Sequence, residues 1–474
     1  MLFSSTIFLF YFLPIVLVLY YLAKWSRPLQ NCILLVFSLF FYAWGESKYV
    51  FLMIGCILFN YIFGLLIVAN NKPGQKKLLL ELALAGNLGT LFLFKYLGFF
   101  VRNLNASLDV SKQLTVPSII LPIGISFFIF QAMSYVIDVY RGVVEVQKNP
   151  FYLGLYVSFF PQLIAGPIVR YATIKDQIIS RKETLSKFSV GSCRFIVGLS
   201  KKVLLSNSLA VIADHVFSMS QSASVPMTLA WLGIIAYTLQ IYYDFSGYSD
   251  MAIGLGLMFG FKFEENFNYP YVSTSISEFW RRWHISLGTW FKDYVYFPLG
   301  GSRVKNKDKM VRNLLIVWFL TGFWHGAEWT FVLWGLLNVS FIILEKLLSF
   351  EQLKIKSWVK HTYCMVIIMI GWVLFRSSDL VAAGHYLRDM LGMGQAGIYS
   401  DYTVMFFREY SVVLLLGILF AMPFARRTNS YISQKKKGFI VFELLYPIVM
   451  MGLFLLCVCY LIKGAYNPFI YFNF

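Results

Sequence analysis

Long apolar stretches recur along the chain and set the first limit on what it can fold into. A membrane-spanning helix needs about 20 residues, each rising about 1.5 Å. The clear candidates are residues 3–22, 49–69, 78–101, 190–213, 227–243, 331–348, 359–375, 411–424 and 439–462. Shorter or interrupted apolar segments raise the expected total to about ten to twelve helices, with additional re-entrant and interfacial helices.

The composition excludes an ordinary soluble domain. Of 474 residues, 58% are hydrophobic and only 14% are charged, whereas soluble domains carry about 25% charged residues. A soluble domain of this length has too little interior to bury so much apolar surface. The sequence therefore predicts an all-α polytopic membrane protein.

The formal net charge of +18 is concentrated in particular loops, which predicts the orientation. The positive-inside rule places the basic loops in the cytoplasm, and both termini then face outward. This alternation requires residues 152–168 to be re-entrant or to form a broken helix, with Pro161, Gly166 and Pro167 supplying the break. We interpret the positive charge as setting the topology and contacting anionic lipid headgroups, and we expect no nucleic-acid partner.

Residues 264–303 are too polar to span a membrane and too aromatic for a free loop. Between residues 276 and 290, apolar side chains recur at three- and four-residue spacing, which predicts an amphipathic helix at the cytoplasmic face. On such a helix Arg281, His284 and Gly288 fall near one another, so that the arginine can neutralise an anion while the imidazole points inward. Headgroup anchoring by the arginine and an interhelical hydrogen bond from the histidine are the alternatives.

A second histidine, His325, lies in the apolar stretch FLTGFWHGAEWTFVLWG. Burial there keeps an imidazole neutral, and the neutral form can accept a proton from a hydroxyl. The neighbouring Gly322, Gly326 and Gly335 allow close approach of another backbone or a thin acyl chain. Glu328 can orient the ring if the helix is continuous. We take His325 as the first candidate for a general base, and a purely structural histidine as the alternative.

Two carboxylates, Asp244 and Asp250, interrupt another apolar segment. Carboxylates at membrane depth often belong to ion routes. Because they are six residues apart, the two share no helical face unless Gly247 breaks the helix. We interpret them as structural residues that pair with basic residues at such a break, and ion coupling is the alternative.

The segment NFNYPYVSTSISEFWRRWHISL, followed about 40 residues later by GFWHGAEWTFVLWG, resembles the membrane-bound O-acyltransferase family. It is most similar to the bacterial branch that includes the membrane subunit of alginate O-acetyltransferase. The segments FYAWGE, FFPQLIAGPIVR, YYDFSGYSDMAIGLGLMFGF and GWVLFRSSDLVAAGHYL look like the same branch, as does the end FIYFNF. The resemblance therefore covers nearly the whole chain.

The resemblance implies one transmembrane domain over residues 1–474, in which the helices surround a central tunnel. We divide it into N-terminal helices in 1–115, a catalytic core in 116–350 and C-terminal helices in 351–474. The resemblance also implies that cytoplasmic acetyl-CoA is the acyl donor, and we expect no permanently bound cofactor. The six cysteines are isolated from one another in apolar segments, so we expect no metal site. His325 corresponds to the essential histidine of the family, and His284 to its partner.

The expected mechanism uses these two histidines and a group of cations. Neutral His325 removes the proton from an acceptor hydroxyl, which attacks the thioester, while His284 stabilises the oxyanion or holds the thioester. We expect no covalent acyl-enzyme. Coenzyme A carries several phosphate charges, and the cations assigned to them are Arg281, Arg282, Lys292 and Arg303.

The expected function is O-acetylation of an exported or cell-wall polysaccharide by a multi-pass protein of the bacterial inner membrane. The family often works with a separate extracytoplasmic acyltransferase of the SGNH type, so such a partner is expected. One alternative is transfer of D-alanine from a carrier protein to teichoic acid. A remote alternative is a non-enzymatic polysaccharide transporter that uses Asp244 and Asp250 for ion coupling.

Overall fold

The computed structural model describes residues 1–164, 166–301, 306–433, 436–464 and 466–468, and no β-strand occurs within these ranges. The α-helices are α1 (Leu13–Leu22), α2 (Arg27–Ala43), α3 (Tyr49–Ala69), α4 (Pro73–Leu91), α5 (Leu97–Asn105), α6 (Ile125–Tyr140), α7 (Pro150–Ser158), α8 (Phe160–Leu163), α9 (Tyr171–Ile179), α10 (Leu185–Ser200), α11 (Asn207–Ser222), α12 (Met227–Met258), α13 (Ile276–Arg282), α14 (Ile285–Phe291), α15 (Lys307–His325), α16 (Trp329–Leu347), α17 (Ser357–Arg376), α18 (Leu380–Met390), α19 (Asp401–Ala421), α20 (Phe424–Ser433) and α21 (Lys436–Ile462). Short π-helical segments cover Phe8–Phe12, Phe92–Tyr96, Lys201–Ser206 and Lys292–Tyr296, and 3-10 turns cover Val110–Lys112, Pro270–Val272 and Phe350–Gln352.

Seven helical stretches in the described part of the chain are long and apolar enough to cross a membrane. They are Tyr49–Ala69, Pro73–Asn105, Leu185–Ser222, Trp329–Leu347, Ser357–Arg376, Asp401–Ala421 and Leu445–Ile462. There are also three shorter apolar helices, Phe8–Leu22, Arg27–Ala43 and Ile125–Tyr140. With them the described residues contain ten apolar helices, which is the lower limit of the expected ten to twelve. The prediction of an all-α polytopic protein is confirmed.

The helices form two compact units. One comprises Met1–Phe195 with Met251–Glu264, and the other comprises Ile196–Asp250 with Glu265–Phe474. Both candidate histidines belong to the second unit. The division of the chain at residues 115 and 350 stays a prediction.

The first unit contains the broken helix that the sequence predicted for residues 152–168. Helix α7 ends at Ser158 and α8 begins at Phe160, because Phe159 between them has an extended ψ of 111°. Pro161 lies in the first turn of α8, where its missing N–H has no helical acceptor to lose. Phe159 and Phe160 are fully buried, as non-helical backbone at membrane depth requires.

In the second unit, α15 and α16 form a closely packed hairpin. A Cβ atom on Gly322 would lie 2.4 Å from the Phe331 carbonyl oxygen, and one on Gly335 would lie 2.5 Å from the Trp318 carbonyl oxygen. Only glycine fits at these two positions, because the backbone of the neighbouring helix occupies the space of a side chain. Of the two neighbours expected from the sequence, a second backbone or an acyl chain, these two glycines contact the backbone. This packing supports the end of α15, where His325 lies.

Replacing Gly335 by alanine should separate the two helices. We expect Gly335→Ala to lower the stability by about 1–3 kcal/mol through overpacking, measured as a lower midpoint of thermal unfolding in detergent. Gly55→Ala in α3 is the matched control, because no atom lies within 4 Å of its added Cβ, and it should unfold at or slightly above the wild-type midpoint. Equal midpoints for the two variants would show that the close approach of α15 and α16 is not required.

Candidate active site

The single helix expected between residues 276 and 290 is interrupted at His284, one of the two candidate catalytic histidines. Helix α13 ends at Arg282 and α14 begins at Ile285, and His284 between them has φ 45° and ψ 52°. This left-handed conformation is uncommon for a residue with a Cβ atom. The expected alignment of Arg281 and His284 on one helical face is therefore wrong: the Arg281 side chain is 63% exposed, whereas His284 is 3% exposed.

A buried carboxylate holds the start of α13. The Glu345 carboxylate of α16 accepts hydrogen bonds from the backbone N–H groups of Ile276 (2.6 Å) and Ser277 (2.9 Å). Two donors at a helix N-terminus suit a negative charge, since the helix dipole is positive there. The N-cap of α13 is Ser275, whose hydroxyl accepts a hydrogen bond from the Glu278 N–H. Helix α13 is thus tied to the helix that follows His325.

His284 is held by an asparagine that precedes it by 18 residues. The Asn266 Oδ1 atom lies 3.1 Å from His284 Nδ1, and it accepts from the backbone N–H and the hydroxyl of Ser286 at 3.2 and 2.9 Å. The Asn266 carbonyl oxygen accepts from the Ile285 N–H at 3.0 Å. Burial lowers the pKa of the His284 imidazole to about 3, so the ring is neutral at pH 7.

His325 is the last residue of α15 and is 6% exposed. Its ring contacts three aromatic side chains, with centroid distances of 5.0 Å to Trp324, 5.1 Å to Trp334 and 5.2 Å to Phe375. Helix α15 ends at His325, and Glu328 is the N-cap of α16. The continuous helix that was required for Glu328 to orient the His325 ring is therefore absent.

His284 and His325 both contact the indole ring of Trp324. The Trp324 ring lies 5.0 Å from the His325 ring and 6.2 Å from the His284 ring, centroid to centroid. The structure therefore brings together the two residues that the sequence singled out. Two buried imidazoles beside aromatic rings form a site in which a proton can move between polar atoms.

The cations proposed to bind coenzyme A differ in their exposure and in the groups that they contact. Arg281 pairs with Glu351 at 3.0 Å, and both side chains are mostly exposed. Arg282 pairs with Glu278 at 2.9 Å, and both are about a quarter to a third exposed. Lys292 begins a π-helical turn and is exposed, with its Nζ 5.9 Å from the centre of the Phe297 ring.

Arg303 lies outside the described residues. Among the described ones, Arg281 lines a cavity of about 310 Å³ that also includes Lys360 and both carboxylates, Glu278 and Glu351. Burial acts to raise the pKa of Glu278, but hydrogen bonds from the Thr274 N–H and from Arg282 outweigh it and leave that pKa below its usual range. The carboxylate therefore remains ionised beside these cations.

The carboxylates of α12 pair with lysines, as the structural interpretation predicted. Lys202 Nζ lies 2.6 Å from Asp244 Oδ1, with both side chains 1% exposed, and Lys201 Nζ lies 2.6 Å from Asp250 Oδ2, with both side chains partly exposed. Both lysines belong to the π-helical turn between α10 and α11. The expected break at Gly247 is wrong, because α12 runs without interruption from Met227 to Met258.

Sequence reasoning missed Asn266, Trp324, Glu345 and the two lysines. Asn266 lies in the polar stretch EENFNYP, where nothing in the sequence shows that its amide is buried and requires partners. Nothing local marks Glu345 as the cap of a distant helix or Lys202 as the partner of Asp244. Their roles follow from tertiary contacts.

The sequence model of the membrane-bound O-acyltransferase family matches residues 87–380, which is more than half of the chain. The chain belongs to this family and is an acyltransferase. Together with its apolar helices, this makes it a multi-pass protein of the bacterial inner membrane.

Curated relatives agree with this assignment. A protein of Pseudomonas putida named probable alginate O-acetylase AlgI is 44% identical over 83% of this chain and 81% of its own length. A peptidoglycan O-acetyltransferase of Helicobacter pylori is 38% identical over 83% of this chain and 80% of its own length. A teichoic acid D-alanyltransferase of Bacillus subtilis is 28% identical over 45% of this chain and 56% of its own length.

Replacing both members of the buried pair tests whether Asp244 is structural. Lys202→Met leaves a buried carboxylate without its cation, which should cost about 3–5 kcal/mol, whereas the double variant Lys202→Met with Asp244→Leu should recover most of that loss. We expect the double variant to retain acyl transfer, measured after reconstitution into lipid.

The more exposed pair provides the comparison. Lys201→Met should cost less than Lys202→Met, because solvent screens the partly exposed Asp250. A double variant at Lys202 and Asp244 that folds and has lost activity would contradict the structural interpretation.

Proposed function

We propose that the protein transfers an acetyl group from cytoplasmic acetyl-CoA across the membrane for O-acetylation of an exported or cell-wall polysaccharide. The observation that carries this proposal is the pair of buried imidazoles, His284 and His325, in contact with Trp324. The names of the relatives support the acetyl group and the polysaccharide, since they are an alginate O-acetylase and a peptidoglycan O-acetyltransferase.

In this proposal His325 is the general base. Its neutral imidazole accepts the proton of the acceptor hydroxyl while the hydroxyl oxygen attacks the carbonyl carbon of the thioester. The carbon–sulfur bond then breaks, and the proton passes from the imidazolium to the departing thiolate, so that the products are an ester and a free thiol. A positioned base of this kind contributes about 10²- to 10⁴-fold to the rate.

The aromatic surroundings of His325 serve the same reaction. Trp324, Trp334 and Phe375 contact the ring edge-on and are nearly fully buried. They limit the access of water to the imidazole, which favours transfer to the acceptor over hydrolysis of the thioester.

Of the described cations, Arg281 is the one that we propose first for binding a phosphate of coenzyme A. Its pair with Glu351 is exposed on both sides, and such pairs contribute only about 0–1 kcal/mol, so a phosphate can displace the carboxylate. Arg282 is held more firmly, since it also donates to the Asn268 carbonyl oxygen at 3.1 Å. We therefore propose Arg281 before Arg282 and Lys292 as a donor-binding residue.

Two alternatives have less support. D-alanyl transfer would require a carrier protein, and the B. subtilis D-alanyltransferase matches less than half of this chain. A transporter would use Asp244 and Asp250 to couple ions, yet both carboxylates are paired with lysines. An SGNH-type extracytoplasmic partner remains part of the proposal, and it rests on the sequence resemblance.

Changing His325 to alanine should lower acetyl transfer by at least about 10²-fold, because the base is lost. The measurement is transfer of label from radiolabelled acetyl-CoA by purified protein in lipid vesicles supplied with alginate oligosaccharides and with peptidoglycan fragments. His385→Ala is the matched control, since that histidine is exposed on α18, and it should retain wild-type activity. Full activity of a folded His325→Ala variant would rule out the base assignment.

The donor is tested by offering two labelled substrates to the wild-type protein. We expect label to leave acetyl-CoA and none to leave a D-alanyl carrier protein. In the same assay Arg281→Gln should raise the KM for acetyl-CoA by about 3- to 10-fold with little change in kcat, since it removes one exposed charge contact. Label taken only from the D-alanyl carrier protein would contradict the acetyl proposal.

A further inference from the structure

The hydrogen bonds around Asn266 determine which atom of its amide faces His284. The Ser286 backbone N–H lies 3.2 Å from the atom assigned as Oδ1, and a backbone N–H can only donate. If the amide were turned over, two donors would face each other at this position. On the other side, Asn266 Nδ2 donates to the Ser249 hydroxyl at 3.0 Å. The oxygen therefore faces the histidine.

This orientation decides the tautomer of His284. An amide oxygen 3.1 Å from Nδ1 is an acceptor, so Nδ1 must carry the hydrogen. In a neutral imidazole only one nitrogen is protonated, and Nε2 then has a lone pair. The ring is neutral because it is deeply buried.

We propose that Asn266 is a positioning residue: it holds His284 with the proton on Nδ1, so that Nε2 accepts a hydrogen bond from the hydroxyl that receives the acyl group. This inference rests on the proposed acyl transfer to a hydroxyl. It replaces the role of oxyanion donor that the sequence suggested, since a nitrogen with a lone pair cannot donate to a developing negative charge. His284 orients the hydroxyl, and His325 takes its proton.

The backbone supports the same assignment. His284 has a left-handed conformation, which costs about 1 kcal/mol or more for a residue with a side chain and is retained where the surroundings impose it. Asn266 stabilises this backbone conformation with two hydrogen bonds to the residues that follow His284. Its carbonyl oxygen accepts from the Ile285 N–H, and its side-chain oxygen accepts from the Ser286 N–H. Asn266, Ser249 and Ser286 are all at least 95% buried, so water does not compete for these bonds.

The tautomer can be measured by solid-state NMR on the wild-type protein in lipid. With isotope-labelled histidine rings and asparagine side chains, a through-space coupling between the two labels selects the His284 signal without any substitution. We expect the nitrogen coupled to asparagine to be protonated and the other ring nitrogen to be unprotonated at neutral pH. An unprotonated nitrogen beside the asparagine would overturn the proposal.

Two substitutions at Asn266 connect the tautomer to activity. Asn266→Ala should lower kcat by about 100-fold or more, as a wrongly held tautomer does in other histidine-dependent enzymes, and should change the NMR signature. Asn266→Asp also keeps an acceptor oxygen beside Nδ1, but its buried carboxylate favours the doubly protonated ring. It should therefore show both ring nitrogens protonated and lower kcat as well. Loss of activity in both variants with an unchanged tautomer would show that the residue is only structural.

Asn60→Ala is the matched control, because Asn60 is a buried asparagine in α3 that bonds with Asn87. It should lower the unfolding midpoint and leave the His284 signature unchanged. If Asn266→Ala does not fold, the wild-type spectrum still decides the tautomer. That spectrum needs no acyl donor, so it can fail or succeed independently of the proposed acetyl transfer.

Discussion

The need to satisfy polar groups inside an apolar protein governs this structure. Lipid offers no hydrogen-bond partners, so a buried polar group that finds none within the chain costs free energy. The carboxylate of Glu345 caps α13, Lys202 neutralises Asp244, and Asn266 accepts from His284 and Ser286. All three interactions lie in the second unit, and each connects a polar side chain with a segment that is distant in the sequence. The proposed chemistry uses the same surroundings, because a dry setting keeps imidazoles neutral and strengthens their hydrogen bonds.

The aromatic residues of this unit connect packing to function. The Trp280 ring contacts the rings of Trp318, Trp334 and Trp372 at 5.1–6.2 Å, which joins α13 to α15, α16 and α17. Trp334 in turn contacts His325. The position of the proposed base therefore depends on a continuous aromatic core, and the close approach at Gly322 and Gly335 lets α15 and α16 contribute to it.

Much of the fold could be predicted from the sequence, because apolar length and helical period are local properties. The span Tyr49–Ala69 has the predicted bounds, and the helix break within residues 152–168 was expected from its prolines and glycine. The interruption at His284 was not predictable in this way. Neither glycine nor proline marks it, and its conformation is held by Asn266, which lies 18 residues earlier. Likewise, both histidines were found as costly polar residues in apolar surroundings, but their shared contact with Trp324 follows from tertiary packing.

The central claim is that a neutral His325 faces an activated acyl donor from the cytoplasm. The most direct measurement is an experimental structure of the protein in lipid with a stable ketone analogue of acetyl-CoA, in which the reacting sulfur is replaced by carbon. The account predicts that the ketone group lies beside Trp324, with space for a hydroxyl oxygen about 3–3.5 Å from its carbonyl carbon and within hydrogen-bond reach of His325. An analogue bound elsewhere, with both imidazoles enclosed by side chains and no path to either surface, would contradict it.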